Sequence, residues 1–441
     1  MESENDIVAT YRFLKNPRIS ENLLIQQLSD KCAEHVADQE VLALCDTSTF
    51  NFSKHKNRIT DFTGLGPLGF GRHPNLGFFL HPILVVGEKT GMPLGISDVN
   101  IWSRRSAPIR ERSKRYELRS VPIEQKESYK WLGPCLKSKS GALKNAKHIT
   151  FVMDREGDVM EVFDRLPDAR TDVVIRSRHN RKIVVDHQDQ SMQLREWIAS
   201  QEVKGIGEIE IKKGHKNRKA RKAQVAIQYC TVQIKWPTSQ AVQEKKHPKG
   251  VVLQVVQIKE IKHRGYEDEP PLEWLILTTK PIESIEDAQQ VMDIYSMRWR
   301  IEEYFKLLKS DGYDIESSEL ESGSRIRKLT IIIMQASIRV QQLKAARNGG
   351  GNLQVKDVFS IEESQCLEIL NNRYEGNTEK LRNPYPKEHL SWASWVIARL
   401  GGWKNVYDKK RPPGNKTFIW GLEKFEAIMV GFQMGIMKDV Y

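Results

Sequence analysis

Residues 295–309 place one carboxylate among cations and a phenol at helical spacing. A helix turns by about 100° per residue, so side chains three, four and seven positions apart share a face. Five polar side chains fall within roughly 80° of one another: Tyr295, Arg298, Glu302, Lys306 and Lys309. Such a face suits a protein that holds a phosphodiester and places a metal ion against it. The alternative is a solvated helix face with ordinary ion pairs.

Two predicted strands end in aspartates that could join Glu302. The apolar runs 41–45 and 148–153 are typical of buried strands, and Asp46 and Asp154 follow them. Carboxylates at adjacent strand ends repel each other unless a cation neutralises them. Mg²⁺, for which Mn²⁺ could substitute, prefers oxygen ligands, and two such ions can support phosphoryl transfer. Each aspartate alone also fits a turn former or a helix N-cap.

Basic side chains point to a nucleic-acid substrate. Residues 212–222 contain eight Lys, Arg and His side chains between two β-like runs. Such a loop could follow a DNA backbone, or it could be a solvated hairpin tip. Trp274 opens a predicted strand, where it could stack on an unpaired base or fill a core. The candidate DNA contacts outside residues 295–309 are Trp274, Arg176, Lys216, Arg218, Arg221 and Lys222.

The composition favours a polyanionic partner. The 441 residues include 69 Lys and Arg against 57 Asp and Glu, a formal net charge of +12, and nucleic acid is the first candidate for such a chain. Five scattered cysteines suggest neither a disulfide framework nor a zinc ribbon. Because no apolar run could span a bilayer and the N-terminus is acidic, we expect a soluble cytoplasmic protein without a membrane partner. Walker-type, Gly-x-Ser-x-Gly and His-Glu-x-x-His motifs are absent from the sequence.

Strands that alternate with helices predict an α/β fold. Residues 182–271 differ, because they offer several β-rich runs and one short helix, and we interpret them as an inserted antiparallel β subdomain. A long apolar helix over 326–347 precedes a glycine linker and a mostly helical C-terminal region. The predicted segments are an N-terminal helical remnant (1–40), a first core part (41–181), the insertion (182–271), a second core part with the catalytic helix (272–347) and a helical C-terminal domain (352–441).

Together these residues resemble the bacterial DDE transposases of the insertion-sequence-four group. The most specific motifs are Asp154-Arg-Glu-Gly-Asp158 and Tyr295-x-x-Arg298-x-x-x-Glu302-x-x-x-x-x-x-Lys309. Supporting segments run from Tyr11-Arg-Phe-Leu-Lys-Asn-Pro to Ala398-Arg-Leu-Gly-Gly-Trp403, so the resemblance covers nearly the whole chain.

The resemblance implies a ribonuclease H-like core in which the β-rich insertion separates the second aspartate from the glutamate. It implies that Asp46, Asp154 and Glu302 are catalytic and bind two Mg²⁺ ions. Tyr295, Arg298 and Lys309 would hold phosphates of the cleaved strand, and Trp274 would receive a flipped base. The partners implied are double-stranded DNA, as transposon ends and target, and a second copy of the chain, which pairs through its C-terminal helices in a synaptic complex.

The sequence departs from this family at its start. Members carry an N-terminal helical domain that recognises the transposon end, whereas only ten residues precede Tyr11 here. The resemblance therefore leaves two expected functions. One is a DNA transposase that catalyses metal-dependent phosphodiester hydrolysis and strand transfer. The other is a truncated, dimerising inhibitor of a full-length transposase. A basic nucleic-acid-binding protein without catalysis would leave the three carboxylates unexplained.

Overall fold

The protein has a mixed α/β fold with a large, mostly antiparallel β-structure. The computed structural model describes residues 4–69, 75–104, 121–185, 190–211, 219–237, 250–261, 269–405 and 411–435. The helices are α1 (Glu4–Lys15), α2 (Glu21–Val36), α3 (Gly133–Ser140), α4 (Met160–Arg165), α5 (Leu194–Ser200), α6 (Ile285–Met297), α7 (Trp299–Leu308), α8 (Gly323–Ala346), α9 (Ile361–Tyr374), α10 (Leu390–Leu400) and α11 (Asn415–Gln433). No helix within these ranges is long and apolar enough to cross a membrane.

Thirteen strands are present in the described ranges. They are β1 (Glu40–Cys45), β2 (Ser48–Asn51), β3 (Gly66–Pro67), β4 (Leu76–Gly87), β5 (Pro93–Trp102), β6 (His148–Met153), β7 (Thr171–Arg176), β8 (Lys182–Val185), β9 (Gln190–Gln193), β10 (Gly205–Ile211), β11 (Arg221–Ile234), β12 (Val251–Glu260) and β13 (Glu273–Thr278). Short 3-10 helices occupy several of the connections between these elements.

The chain divides into two compact units. The sheet unit comprises Asp38–Asp46 and Ile109–Arg300, and the helical unit comprises Met1–Ala37, Thr47–Pro108 and Ile301–Tyr441. The predicted division into five segments is finer than these two units and stays a prediction.

The sheet unit begins with a parallel core. β1 pairs in parallel with β6, and β6 pairs in parallel with β7. Both β1 and β6 are apolar and almost completely buried, as expected for strands that are covered on both faces. The sheet then continues antiparallel through β13, β12, β11, β8 and β9, with β10 also paired to β11. The carboxyl ends of β1, β6 and β7 therefore meet at one sheet edge.

The helical unit combines a small antiparallel sheet with packed helices. β4 pairs with β2, β3 and β5, and α2 packs on β5. α8 contacts β5, α2, α10 and α11, so it lies at the centre of this unit. Ser20 caps α2, because its side chain accepts a hydrogen bond from the Leu23 amide.

Most predicted elements are confirmed, and two helices are corrected. The charged segment 124–130, for which the sequence predicts a helix, instead forms two 3-10 helices, Ile123–Gln125 and Glu127–Trp131. Pro122 caps the start of the first 3-10 helix, and Pro134 lies in the first turn of α3, where its missing amide costs nothing. The single helix predicted through 295–309 is two helices, α6 and α7, separated at Arg298, and Lys309 lies beyond the end of α7.

An ion-pair network holds the β-rich insertion together. The Arg221 guanidinium contacts Glu260 at 3.0 Å and Glu269 at 2.8 Å, and its side chain is almost fully buried. Side-chain hydrogen bonding to Glu260 raises the pKa of Arg221. The neighbouring Lys222 points to the other face of β11, where it forms an exposed pair with Glu208 at 3.2 Å. Alternation along one strand thus gives adjacent cations opposite surroundings.

These surroundings predict unequal effects on stability. Arg221→Ala leaves two buried carboxylates without their cation and should cost about 3–5 kcal/mol. The matched control Lys222→Ala removes only a surface pair and should cost about 1 kcal/mol or less. Urea unfolding monitored by tryptophan fluorescence measures both variants. Equal losses for the two variants would contradict the assigned network.

Candidate functional site

The sheet unit brings two of the predicted carboxylates to adjacent strand ends. Cys45, the last residue of β1, is in register with Met153, the last residue of β6. Asp46 and Asp154 are the residues that directly follow these two strands. Since neighbouring strands lie about 4.8 Å apart, the parallel pairing places two acidic residues at the same edge. Their mutual repulsion requires a nearby cation.

Arg298 supplies positive charge at this edge. Its guanidinium donates a hydrogen bond to Asp46 Oδ2 at 3.0 Å, and both side chains are mostly buried. Arg298 also lowers the pKa of Asp154, against a larger opposing effect of burial. One arginine therefore acts on both aspartates, and its forked donors suit carboxylate and phosphate oxygens alike.

Asp154 is held by the backbone of its own loop. Its carboxylate accepts the Glu156 amide at 2.8 Å and caps the 3-10 helix Arg155–Gly157. Burial nevertheless raises the pKa of Asp154 above its ordinary value. Burial raises this pKa more than the hydrogen bond and the nearby cations lower it. Carboxylates with such shifted pKa values are common in functional sites.

The helix break at Arg298 changes the polar face that was predicted for residues 295–309. The Arg298 amide donates to the Tyr295 carbonyl at 3.1 Å, three residues back, so the chain tightens into a 3-10-type turn there. Tyr295 was predicted to face away from the core, but its side chain is only 4% exposed. It packs edge-on against Trp274, with ring centroids 4.9 Å apart. Burial raises the pKa of the Tyr295 phenol.

Trp274 and Arg176 line a cavity of about 730 Å³ in the sheet unit. Arg176 donates to the Glu273 carbonyl at 2.9 Å, and burial lowers the pKa of its guanidinium. Three further cations line the same cavity: Arg155, Arg195 and Lys259. These three cations were not predicted from the sequence. Only Arg155 could have been found from its position, because it directly follows Asp154.

The remaining residues of the predicted face belong to the helical unit. Glu302 and Lys306 lie on α7, where Glu302 is half-buried and Lys306 is exposed. Lys309 is half-buried; its ammonium donates to the Thr49 carbonyl and lies 4.8 Å from the centre of the Phe50 ring. Burial lowers the pKa of Lys309. Glu302 lies in the helical unit and the two aspartates lie in the sheet unit, so a site that joins them stays a prediction.

The predicted basic loop is described only in part. Lys216 and Arg218 lie outside the described residues. Lys222 is exposed, as a backbone contact requires. Arg221 is occupied by Glu260 and Glu269 inside the insertion. The geometry therefore gives Arg221 a structural role and does not favour a phosphate contact by its side chain.

The donor set fits a hard divalent cation. Within the described ranges, no group of three or more His, Cys, Asp and Glu side chains is already arranged to hold a metal ion. Asp46 and Asp154 nevertheless offer oxygen ligands from adjacent strands, which is the chemistry that Mg²⁺ and Mn²⁺ prefer. A divalent cation would also offset the burial that raises the pKa of Asp154.

Residues 137–338 match a family model described as the transposase DDE domain. The matched region includes Asp154, Arg298 and Glu302. The match supports a DDE transposase that acts on DNA. DDE transposases generally use divalent metal ions.

The raised pKa of Asp154 predicts a gain in stability on neutralisation. The folded unit binds a proton at Asp154 more tightly than the unfolded chain does, so folding is penalised at neutral pH, where the group is charged. Asp154→Asn should therefore raise the melting temperature in EDTA at pH 7 by up to a few degrees. The difference should disappear in acid, where the wild-type carboxyl is protonated in both states. Thermal scans at both pH values provide the measurement.

The exposed carboxylate of Glu156 lies in the same loop and offers a control. Glu156→Gln keeps the backbone amide that caps Asp154 but loses the ion pair of Glu156 with Lys130 at 3.1 Å, so it should not raise the melting temperature. An Asp154→Asn protein less stable than the wild type at pH 7 would refute the assigned penalty.

Proposed function

We propose that this chain is a DNA transposase that hydrolyses phosphodiesters at transposon ends and transfers the freed strands to a target. The observation that carries the proposal is the pair Asp46 and Asp154 at adjacent parallel strand ends, with Arg298 acting on both. The match to the transposase DDE domain supports it independently of this geometry.

Asp46, Asp154 and Glu302 are the proposed catalytic metal ligands. Bound Mg²⁺ or Mn²⁺ ions supply activation of the nucleophile and stabilisation of the leaving oxygen. Asp46 and Asp154 hold their oxygens in fixed positions because each directly follows a buried strand. Glu302 is assigned as the third ligand from its position in the Tyr295-to-Lys309 motif.

The neighbouring cations bind and orient the substrate. Arg298 is placed to hold a phosphate oxygen at the edge where the two aspartates lie, because its guanidinium fork matches phosphate as well as carboxylate. Arg176 and Trp274 line a cavity next to the buried Tyr295. This cavity can hold part of a distorted strand by charge and stacking. Lys306, Lys309 and Lys222 are proposed contacts to the DNA backbone.

The finer family placement is also a proposal. The motifs around Asp154 and from Tyr295 to Lys309 favour the insertion-sequence-four group, near the transposase of transposon five. A ribonuclease H-like core is supported by the parallel strands β1, β6 and β7 at the start of a mixed sheet.

A direct test uses cleavage of a DNA duplex that carries the element's own terminal repeats, in Mg²⁺ or Mn²⁺. Asp154→Ala should abolish cleavage, a loss of at least about 10³-fold if the carboxylate is an essential ligand. Its DNA affinity should stay close to that of the wild type, because the change removes a metal ligand and no cation.

The control variant is Asp164→Ala, on α4 of the same unit and outside the proposed site. It should cleave like the wild type. Cleavage by Asp154→Ala would overturn the catalytic assignment. Binding and dimerisation by a wild-type chain that does not cleave would instead favour the inhibitor.

We also propose that a second copy of this chain pairs through α11. Four apolar side chains of α11 and its C-cap lie within about 80° of one another: Trp420, Ala427, Val430 and Met434. The exposed Lys416 and Glu423 share this arc. Trp420, Val430 and Met434 are 53%, 53% and 70% exposed, respectively. A two-fold interface buries the same patch of both copies, so this face supports a dimer.

Trp420→Glu should weaken that dimer by tenfold or more, because it replaces the largest apolar side chain of this face with a charge three residues from Glu423. Gln433→Glu adds the same charge about 100° round α11 from the centre of this face and should leave the dimer intact. Sedimentation velocity with duplex DNA distinguishes the two variants. Wild-type-like assembly of Trp420→Glu would exclude α11 as the interface.

A further inference from the structure

Asp158 is a buried carboxylate that the proposed chemistry does not use. Its side chain is fully buried, and it ends the same short loop that begins with Asp154. The loop is tight: a Cβ added at Gly157 would lie 2.6 Å from Met153 Cβ. Asp158 therefore has little freedom to move relative to Asp154.

The Asp158 carboxylate binds the loop that follows β7. Oδ2 accepts the backbone amides of Arg178 at 2.7 Å and His179 at 2.9 Å. Oδ1 accepts two N–H groups of the Arg181 guanidinium, at 3.2 and 2.5 Å. Arg181 also donates to the Asp158 carbonyl at 2.9 Å. Both oxygens of one carboxylate thus hold residues 178–181.

Strand register places this loop beside the proposed site. Met153 pairs with Ile175, so Asp154 and Arg176 are the next residues on neighbouring parallel strands. The 177–181 loop starts immediately after Arg176, and Asp158 joins it to the loop that carries Asp154. One carboxylate consequently sets the distance between the metal-ligand loop and a basic loop.

The contacts also determine which side chains point outward. The amides of Arg178 and His179 are directed inward at Asp158, whereas the Arg178 side chain is exposed. The Ser177 hydroxyl donates to the His179 carbonyl at 3.1 Å and further fixes the turn. Arg178 is therefore a cation presented on a rigid loop.

We propose that Asp158 is a positioning residue that holds the 177–181 loop so that Arg178 contacts a phosphate of the DNA substrate. The inference rests on the proposed function, since it needs DNA at this sheet edge. Asp158, the last residue of the Asp154-to-Asp158 motif, thereby acts by holding a loop in place and not by binding a metal ion.

Salt dependence of DNA binding tests the proposal with the full chain and a fluorescent duplex. A phosphate contact contributes about 0.9 to the slope of log affinity against log salt concentration. Asp158→Asn should therefore weaken binding by about tenfold and lower the slope by about 0.9. Loss of a negative charge would by itself strengthen DNA binding, so the predicted direction is the opposite of a simple charge effect.

Arg178→Ala should show the same loss of slope, and the double variant should lose no more than either single one. Arg178 is exposed, so this variant tests the contact even if Asp158→Asn does not fold. Hydrogen exchange provides a structural readout, because the Arg178 and His179 amides should exchange faster in Asp158→Asn.

Asp168→Asn is the matched control. Asp168 pairs with Lys139 at 2.7 Å and closes the turn before β7, at the other end of that strand. It should leave the salt slope unchanged. An unchanged slope in either Asp158→Asn or Arg178→Ala, with wild-type binding intact, overturns the inference and leaves the proposed function standing. Salt-independent or absent binding by the wild type overturns both.

Discussion

Parallel pairing of β1 with β6 is the constraint on which the proposed site depends. Both strands are buried, so their register is fixed by the core. That register carries two aspartates to one edge, where their charges repel. Arg298 compensates for part of this repulsion through its contact with Asp46. Burial raises the pKa of Asp154, and a bound cation would offset this unfavourable contribution.

The surroundings of this edge combine rigid and polar elements. Tyr295 packs on Trp274 immediately before the turn at Arg298, so an aromatic contact anchors the arginine. Asp158 connects the Asp154 loop to the loop after β7. Catalysis by positioned groups requires such support, because displacement of about 1 Å can cost two orders of magnitude in rate.

The sequence was informative where local patterns suffice. Apolar runs followed by Asp46 and Asp154 predicted two strands with acidic ends, and both strands are confirmed. Their adjacency depends on a pairing between residues about 108 positions apart, which hydrophobic periodicity does not encode. Tyr295 was predicted on the wrong face because its partner Trp274 lies on a distant strand. Arg221 and Lys222 differ in role because only Arg221 contacts Glu260 of β12 and Glu269 in the segment after it. The local sequence around residues 221 and 222 does not indicate these long-range contacts.

Asp46 and Asp154 are proposed to bind a divalent cation together. Isothermal titration of the DNA-bound full chain with Mn²⁺ measures this directly. Asp46→Asn and Asp154→Asn should each weaken Mn²⁺ binding by about tenfold or more, as loss of a charged ligand should, whereas Asp164→Asn should not. Mn²⁺ affinity equal to that of the wild type in both Asp46→Asn and Asp154→Asn would rule out a shared cation site.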